Sequence, residues 1–355
     1  MGMNTTELYG IQVTKENTRA DKEVRYYQYH NRNASIEEKE RWGIDLIKMA
    51  LTKSEKPVVS CSFGIDSIVT LYLVKKALAE MDRPIDSVHV AWNDTANEFP
   101  DVRKYQKKIT ADWGLNLIVS KPEKTLKHII NDNGGVTAEY FFARKGKRGG
   151  KKPLSEKCCG TLKHKPMQKM IKENKWDLVI NGLRADESSQ RFKVALRDGS
   201  YFYSVREWKA YVLRPIQWFN EKEIWQYVAQ ENIPYNDLYD KNLIKSGERA
   251  GEQVGRMEAT LLAEQGVDIF TPRTGCMLCP IPIRFGYVQW MRRFYPKAHD
   301  AMIYNLEYGK ALLSMIPEDA KAEIKAFTGI DVNEENAWEH LRDILDSKPC
   351  TFDKF

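Results

Sequence analysis

Residues 58–67 constrain this chain more than any other stretch. Val58, Val59, Ser60 and Cys61 make a short, β-branched run of the kind that builds a buried strand. Ser62, Phe63 and Gly64 form a small turn, and Ile65, Asp66 and Ser67 lead into Ile68-Val69-Thr70-Leu71-Tyr72-Leu73-Val74, an apolar helical pattern. A strand, a tight turn and a helix N-terminus leave backbone N–H groups and the positive end of the helix dipole facing the turn, which is an anion site. Gly64 lets the backbone approach a phosphate, and Ser62 and Ser67 can add hydroxyl donors. An ordinary strand–helix corner uses the same pattern, so other segments must discriminate.

Further strands alternate with helical stretches. Residues 85–92 are rich in β-branched and aromatic side chains and end in Asn93-Asp94-Thr95-Ala96-Asn97-Glu98-Phe99-Pro100. Residues 115–119 read as a third strand, and 177–181 as a fourth that runs into Gly182-Leu183-Arg184-Ala185-Asp186-Glu187-Ser188-Ser189-Gln190-Arg191. This alternation predicts an α/β fold, a doubly wound, Rossmann-like parallel sheet with helical N- and C-terminal additions. Polar groups crowd the carboxyl ends of the strands, where open α/β sheets bind ligands. Arg184 and Arg191 suit bidentate recognition of phosphate or sulfate, with a salt-bridged loop as the plain alternative.

The flanking segments are less specific. Ser35 and Glu38 form a capping-box pair, predicting a helix to about residue 51 with Trp42, Leu46, Ile47 and Ala50 inward. Tyr26-Tyr27-Gln28-Tyr29-His30 is expected to pack on the main domain. A helix is expected from about residue 220 with Ile224, Trp225, Val228 and Ala229 inward. Residues 240–273 read as polar and helix-prone. Residues 283–347 carry an amphipathic pattern with Trp290, Met291, Phe294 and Tyr295, which suits packing on the domain and leaves room for a homodimer contact. The expected division is an N-terminal helical extension over 1–54, a nucleotide-binding α/β domain over 55–239 and a mostly helical region over 240–355.

At 355 residues the chain can bury a large core, and its net charge of +6 suits an anionic ligand without demanding nucleic acid. No apolar run approaches a membrane span, and the N-terminus has no signal-peptide pattern. Six cysteines in a chain this long are no disulfide scaffold; their clustering favours metal binding or catalysis in a reducing cytoplasm.

Cys158-Cys159 and Cys276-Met277-Leu278-Cys279 read as one four-thiolate metal site, holding an iron–sulfur cluster or, alternatively, zinc. Adjacent cysteines reach one centre only from a helix or a strained turn, and zinc sites prefer ligands two to four residues apart. Cys61, on the core strand, is expected to be a small buried hydrophobe. The run Arg144-Lys145-Gly146-Lys147-Arg148-Gly149-Gly150-Lys151-Lys152 reads as a solvated loop or as a lid that reaches phosphates.

Five segments in order, over roughly residues 55–282, resemble the sulfonucleotide (PAPS and APS) reductases of the adenine nucleotide alpha-hydrolase, or PP-loop, superfamily. The first is Ser62-Phe63-Gly64-Ile65-Asp66-Ser67, similar to S-G-G-x-D-S or S-F-G. Ile65 stands where the ATP pyrophosphatases of the superfamily usually carry Lys. The second is Asp94-Thr95-Ala96, similar to D-T-G with Ala96 for the Gly. The third is Cys158-Cys159-Gly160-Thr161-Leu162-Lys163-His164-Lys165-Pro166, similar to C-C-x-x-R-K-x-x-P with Leu162 for the Arg. The fourth is Gly182, Arg184, Glu187, Ser188 and Arg191, similar to G-x-R-x-x-E/Q-S-x-x-R. The fifth is the Cys276/Cys279 pair.

The resemblance implies a 4Fe–4S cluster on Cys158, Cys159, Cys276 and Cys279. Ser60, Ser62, Phe63, Gly64, Asp66 and Ser67 would hold phosphate. Asp94 and Thr95 would line the nucleotide pocket with Gly182, Glu187 and Ser188. Lys163, Arg184 and Arg191 would face the sulfate or phosphate end. Cys350, a lone tail cysteine without the family's E-C-G-x-H surroundings, would be the nucleophile. The implied activity is reduction of PAPS or APS to sulfite and an adenosine nucleotide by thioredoxin or a similar thiol. One alternative is an ATP-pyrophosphatase-like sulfur-transfer protein, using ATP with Mg and acting on nucleic acid as DNA phosphorothioation proteins and tRNA thiolases do. Another is a non-catalytic nucleotide-binding or cluster-sensing protein.

Overall fold

The structure is a computed structural model that describes residues 10–137, 141, 153–314, 316, 318–341 and 343. Its contacts divide into two compact units. One holds the described residues of Met1–Asp94, Pro100–Lys121 and Pro166–Asp237; the other holds those of Thr95–Phe99, Pro122–Lys165 and Leu238–Phe355.

The first unit is built on a six-stranded sheet of β1 (Pro57–Ser60), β2 (His89–Asn93), β3 (Asn116–Ser120), β4 (Leu178–Asn181), β5 (Tyr201–Ser204) and β6 (Ala210–Leu213), in the order β3-β2-β1-β4-β6-β5. Every neighbouring pair is parallel except β5 with β6. The central strand is apolar on both faces, as a covered parallel strand must be: Val58 and Val59 are fully buried, and Val59 is in register with Val90 and Ile180. The chain builds outward from β1 to β2 and β3, then returns to the other side of β1 for β4. That reversal opens a crevice at the carboxyl ends of β1 and β4. The Ser62–Ser67 turn and the Gly182-Leu183-Arg184 segment leave from those two ends. This is the doubly wound sheet that the alternation predicts.

Local details differ for physical reasons. Residues 85–87 form a 3-10 turn, with Ser87 Oγ donating to the Pro84 carbonyl at 2.7 Å, so the second strand starts only at His89. The edge hairpin of β5 and β6 is not foreseen; Tyr201-Phe202-Tyr203-Ser204 and Ala210-Tyr211-Val212-Leu213 lack the continuous β-branched run that marks β1 and β4. The Ser35 capping box forms, and its helix runs Ile36–Lys53 with Leu46, Ile47 and Ala50 buried and Trp42 half-buried. A second capping box, Asn220 with Glu223, starts the helix Glu221–Gln230. There Tyr227 is buried and Ala229 is exposed, the reverse of expectation, because the larger ring takes the inward position. Lys39, 2% exposed, donates to both Glu223 carboxylate oxygens at 2.6 and 2.7 Å and so ties these two helices. In the helix Lys22–His30, Gln28 is buried and Tyr29 packs edge-on against Phe192 and Trp218, whereas Tyr26 and Tyr27 face solvent.

In the second unit, residues 240–273 correct the helix-prone reading. They form a small antiparallel sheet of β7 (Asn242–Ile244), β8 (Gln253–Val254) and β9 (Ile269–Phe270), with one helix, Arg256–Glu264. Ile244, Val254 and Ala259 pack together there. The helix Tyr287–Phe294 packs within its own unit. Trp290 and Met291 are fully buried, with Trp290 against Phe99 and Tyr287 and its indole N–H donating to the Lys241 carbonyl at 2.6 Å. Among the described residues no helix is long and apolar enough to cross a membrane.

Candidate functional site

The Ser62–Ser67 turn is drawn tight by its own groups. Phe63 has φ +57° and is fully buried, its ring edge-on to Trp92 at 5.8 Å. A left-handed backbone is costly for a residue with a Cβ. Here the core contact of the ring holds it in place. Ser67 Oγ donates to the Gly64 carbonyl at 2.8 Å and lies 3.3 Å from Ser62 Oγ, and the Gly64 N–H points to Ser62 Oγ at 3.4 Å. Gly64 begins the helix Ile65–Glu80, and no side chain caps that end. The arrangement presents a helix N-terminus at the switch point of the sheet, which is an anion-binding geometry. Ser60 is half-buried at the end of β1, and Ser62 is exposed.

Gly182 continues from β4 against that helix. A Cβ there would stand 2.6 Å from the Asp66 carbonyl oxygen and 2.9 Å from Thr70 Oγ1, so only glycine allows this approach. Two residues on, Arg184 is 5% exposed. Its Nε donates to Asp66 Oδ1 at 2.7 Å and its Nη1 to Asp186 Oδ1 at 2.5 Å. Burial pushes the Asp66 carboxyl up and Arg184 pulls it down, while Asp186 and Glu221 push it up again; the net shift is upward. Glu187 accepts from the Arg184 N–H at 3.2 Å and pairs with Arg191. Ser188 caps the helix Ser189–Asp198 by accepting from the Arg191 N–H at 3.2 Å.

Asp94, at the end of β2, is 4% exposed and is gripped by both terminal nitrogens of Arg103, at 2.7 and 2.9 Å. Arg103 also lies over the Trp92 ring, 5.9 Å from its centroid. Sequence reasoning misses Arg103, because nothing in a helix pattern reveals which cation turns back to a strand end.

The four clustered cysteines all belong to the second unit, within electrostatic reach of one another. Cys158 and Cys159 end the helix Leu154–Cys159, and the next five residues, Gly160–His164, are π-helical. Such turns occur disproportionately at functional sites. The adjacent pair therefore sits on a helix, one of the two geometries that let neighbours serve one centre. Cys276 and Cys279 lie on a turn whose Cys279 N–H donates to the Cys276 carbonyl at 3.2 Å. Residues 95–98 hold that turn. Glu98 bridges to Cys276, the Met277 N–H donates to the Asn97 carbonyl at 2.6 Å, the Leu278 N–H donates to Asn97 Oδ1 at 3.2 Å, and Cys276 Sγ donates to Thr95 Oγ1 at 3.6 Å. Two buried phenols grip it from behind: Tyr287 donates to the Met277 carbonyl and Tyr308 to the Leu278 carbonyl at 2.8 Å. Asn97, Glu98 and the two tyrosines also escape sequence reasoning, since backbone-to-side-chain supports leave no motif.

The electrostatics agree with this grouping. Burial raises the Cys158 thiol to about 12, helped by Cys159, Cys279 and Cys276, and raises Cys279 to about 11. Loss of hydration around its ammonium pulls Lys163 down, although the side chain as a whole is exposed. It is pushed up more strongly by Cys276, Cys159, Glu98 and Cys279, for a net upward shift. Cys158, Cys159, Cys276 and Cys279 are all unpaired thiols. An all-sulfur donor set fits an iron–sulfur cluster or zinc. Among the described residues no three His, Cys, Asp or Glu side chains form a ready single-ion cage. Asn97 Nδ2, buried beside the turn, finds no hydrogen-bond partner among the described residues. Leu162, in place of the Arg of the resemblance, is 2% exposed and faces the core. Cys61 is buried as expected. Cys350 and the basic run 144–152 lie outside the described residues.

Comparison with known proteins places this geometry in a family. The family model described as the phosphoadenosine phosphosulfate reductase domain matches residues 56–282, well over half of the chain. The chain is 28% identical over 266 residues to an uncharacterized protein of Methanocaldococcus jannaschii, covering 74% of this chain and 44% of that one. It is 27% identical over 218 residues to sulfate adenylyltransferase subunit 2 of Methylorubrum extorquens, covering 56% of this chain and 63% of that one. It thus spans less than two thirds of the length of these curated relatives. Among solved structures, a U34-tRNA thiolase of Methanococcus maripaludis with its 4Fe–4S cluster aligns at TM-score 0.41 and 15% identity, covering 81% of this chain and 82% of that one.

Proposed function

The chain belongs to the phosphoadenosine phosphosulfate reductase domain family, and on that premise we propose that it reduces an adenylyl sulfate, PAPS or APS, to sulfite. The observation that supports this reading is that Cys158, Cys159, Cys276, Cys279 and Lys163 lie within electrostatic reach of one another. In this reading the helix N-terminus at Gly64, with Ser60, Ser62 and Ser67, binds the phosphates. Gly182, Arg184, Glu187, Ser188 and Arg191 bound the same crevice. Asp66 orients Arg184, and Asp94 does the same for Arg103. Thr95 supports the Cys276 turn.

The four cysteines would hold a 4Fe–4S cluster, which would fix the two segments and tune the field near an anionic substrate. Lys163 would attract the sulfate. Cys350 would attack the sulfate sulfur; the S–O bond to the nucleotide breaks, the nucleotide leaves, and an S-sulfocysteine remains. A thiol of thioredoxin type would then attack the cysteine sulfur, releasing sulfite and forming a mixed disulfide. Supporting observations are the family match, the anion-binding turn and Ile65, buried where a pyrophosphatase would need a cation.

A second reading, an ATP-pyrophosphatase-like sulfur-transfer protein acting on nucleic acid, has its own observations: a curated relative is a sulfate adenylyltransferase subunit, and Asp66-Ser67 suits ATP chemistry. One set of assays separates them. Protein purified anaerobically should carry iron and sulfide in equal amounts with a broad visible absorption, and should release sulfite from PAPS or APS with thioredoxin. Cys350→Ser should abolish sulfite release without loss of iron. Pyrophosphate release from ATP in place of sulfite release would favour the second reading. A colourless protein with stoichiometric zinc would remove the cluster.

A further inference from the structure

A cleft of about 520 Å³ opens at the other end of the sheet, beside Asp177 and Lys209, which immediately precede β4 and β6. It therefore lies at the amino end of β4, whose carboxyl end bounds the crevice above, and of its neighbour β6. Its volume falls within the range of about 300–1,000 Å³ usual for ligand sites. Lys15, Lys172, Lys175, Arg206 and Lys209 line it. None of the five forms an ion pair with another described residue. Two carboxylates oppose them, Asp177 and Glu207, and Asp177 already accepts from Ser54 Oγ and from the N–H groups of Glu55 and Lys56. Between the cations lie aromatic rings: Tyr203, Trp208 and Tyr211 are half-buried, and Tyr211 is backed by Tyr201 stacked at 5.5 Å.

The end of a helix accounts for two of the cations. Lys172 lies in the last turn of the helix Lys165–Asn174 and Lys175 directly follows it, where positive charge complements the dipole. It does not account for the others. Lys15 comes from the N-terminal segment, and Arg206 and Lys209 come from the β5–β6 turn. Like charges gathered from three segments without partners are costly unless an anion joins them.

We propose that this cleft binds single-stranded nucleic acid, with phosphates on the five cations and bases against Tyr203, Trp208 and Tyr211. Half-exposed rings among cations make the stacking platform and electrostatic track of sequence-tolerant strand binding. An acidic peptide would use the cations and leave the rings idle. A lone mononucleotide fits less well, because the helix end at the cleft offers carbonyls rather than N–H donors.

The test uses the full chain with short fluorescein-labelled oligothymidylate and oligouridylate, read by fluorescence anisotropy. Five phosphate contacts give a slope of log affinity against log salt of about −3.5 on single strands, and losing two makes it shallower by about 1.4. Lys15→Glu/Arg206→Glu and, separately, the milder Lys172→Gln/Lys209→Gln should each weaken binding about tenfold or more at low salt, with unchanged thermal unfolding. A charge-matched control, Lys107→Glu/Lys127→Glu, should bind as wild type does. The proposal is overturned if wild type fails to bind at low salt, if the control weakens binding equally, or if AMP competes as well as the oligonucleotides.

Discussion

Arg184 Nε donates to Asp66 Oδ1 at 2.7 Å across 118 positions of sequence, joining the end of β4 to the helix that follows β1. The pair forms the floor of the crevice at the switch point. Arg184→Ala leaves Asp66 and Asp186 without their buried cation, so it should cost about 3–5 kcal/mol, and Asp66→Asn should cost less because its amide oxygen still accepts. Urea unfolding measures both. Equal stability of Arg184→Ala and wild type would show that the ion pair carries no structural weight.

Gly182→Ala probes the same junction sterically. The new methyl would meet the Asp66 carbonyl at 2.6 Å, and backbone cannot swing aside as a flexible side chain can. The expected cost is about 1–3 kcal/mol, with weaker binding of adenine nucleotides by calorimetry. A variant that melts and binds as wild type does would mean that the two segments separate freely.

Two non-glycine residues stand where the resembling motifs allow glycine, and both are left-handed: Phe63 at φ +57° and Ala96 at φ +59°. Ala96→Gly should relieve about 1–2 kcal/mol of strain and lose about 0.5–1 kcal/mol to chain entropy, so its melting temperature should hold or rise. Phe63→Gly relieves the same strain but removes a fully buried ring from Trp92, for a loss of about 3–5 kcal/mol before that relief. Opposite responses to the same substitution are the expected result; a stabilised Phe63→Gly would sink this account.

Tyr308 donates to the Leu278 carbonyl at 2.8 Å from a fully buried position. Tyr308→Phe should cost about 1 kcal/mol and speed the loss of iron from anaerobically purified protein on mild chelation. Unchanged iron retention would show that the Cys276–Cys279 turn holds its shape without that support.

Cys61 supplies a pH-dependent check. Burial raises its thiol to about 11, against smaller lowering by Ser67 and the Phe63 backbone. A thiol raised in the folded state leaves stability unaffected while both states are neutral, below the unfolded value of 9.0. As pH rises from there toward about 11 the unfolded chain ionises first, and stability falls. Iodoacetamide should therefore spare Cys61 in the native protein at about pH 8. Rapid alkylation without unfolding would contradict its burial.

What the sequence reveals divides by how the information is carried. The strand–turn–helix of residues 58–67, the capping box at Ser35 and the apolar strand before Gly182 are local patterns with a fixed period, and they stand where they are expected. The edge strand β5 and its neighbour β6 lack the continuous β-branched run that marks β1 and β4, and the strands β7, β8 and β9 are only two or three residues long, too short for a period to show. The candidate site divides likewise. Cys158, Cys159, Cys276 and Cys279 are legible as a spacing, and they lie in one unit within electrostatic reach of one another. Arg103 on Asp94, or Asn97 and Tyr308 on the Cys276–Cys279 turn, are pairings across 9, 181 and 30 positions that carry no local mark.

The π-helical turn of Gly160–His164 has a consequence for how this chain tolerates length changes. A π turn amounts to one residue more than an α turn would use. Deleting a single residue there would let the backbone relax to an ordinary α turn, and the flanking turns would keep their facing because the bulge alone absorbs the lost residue. Lys163 would then sit one position nearer the Cys158-Cys159 pair along the chain, in a protein that still folds. A shortened variant with full helical content and unchanged stability would be the signature of that absorption.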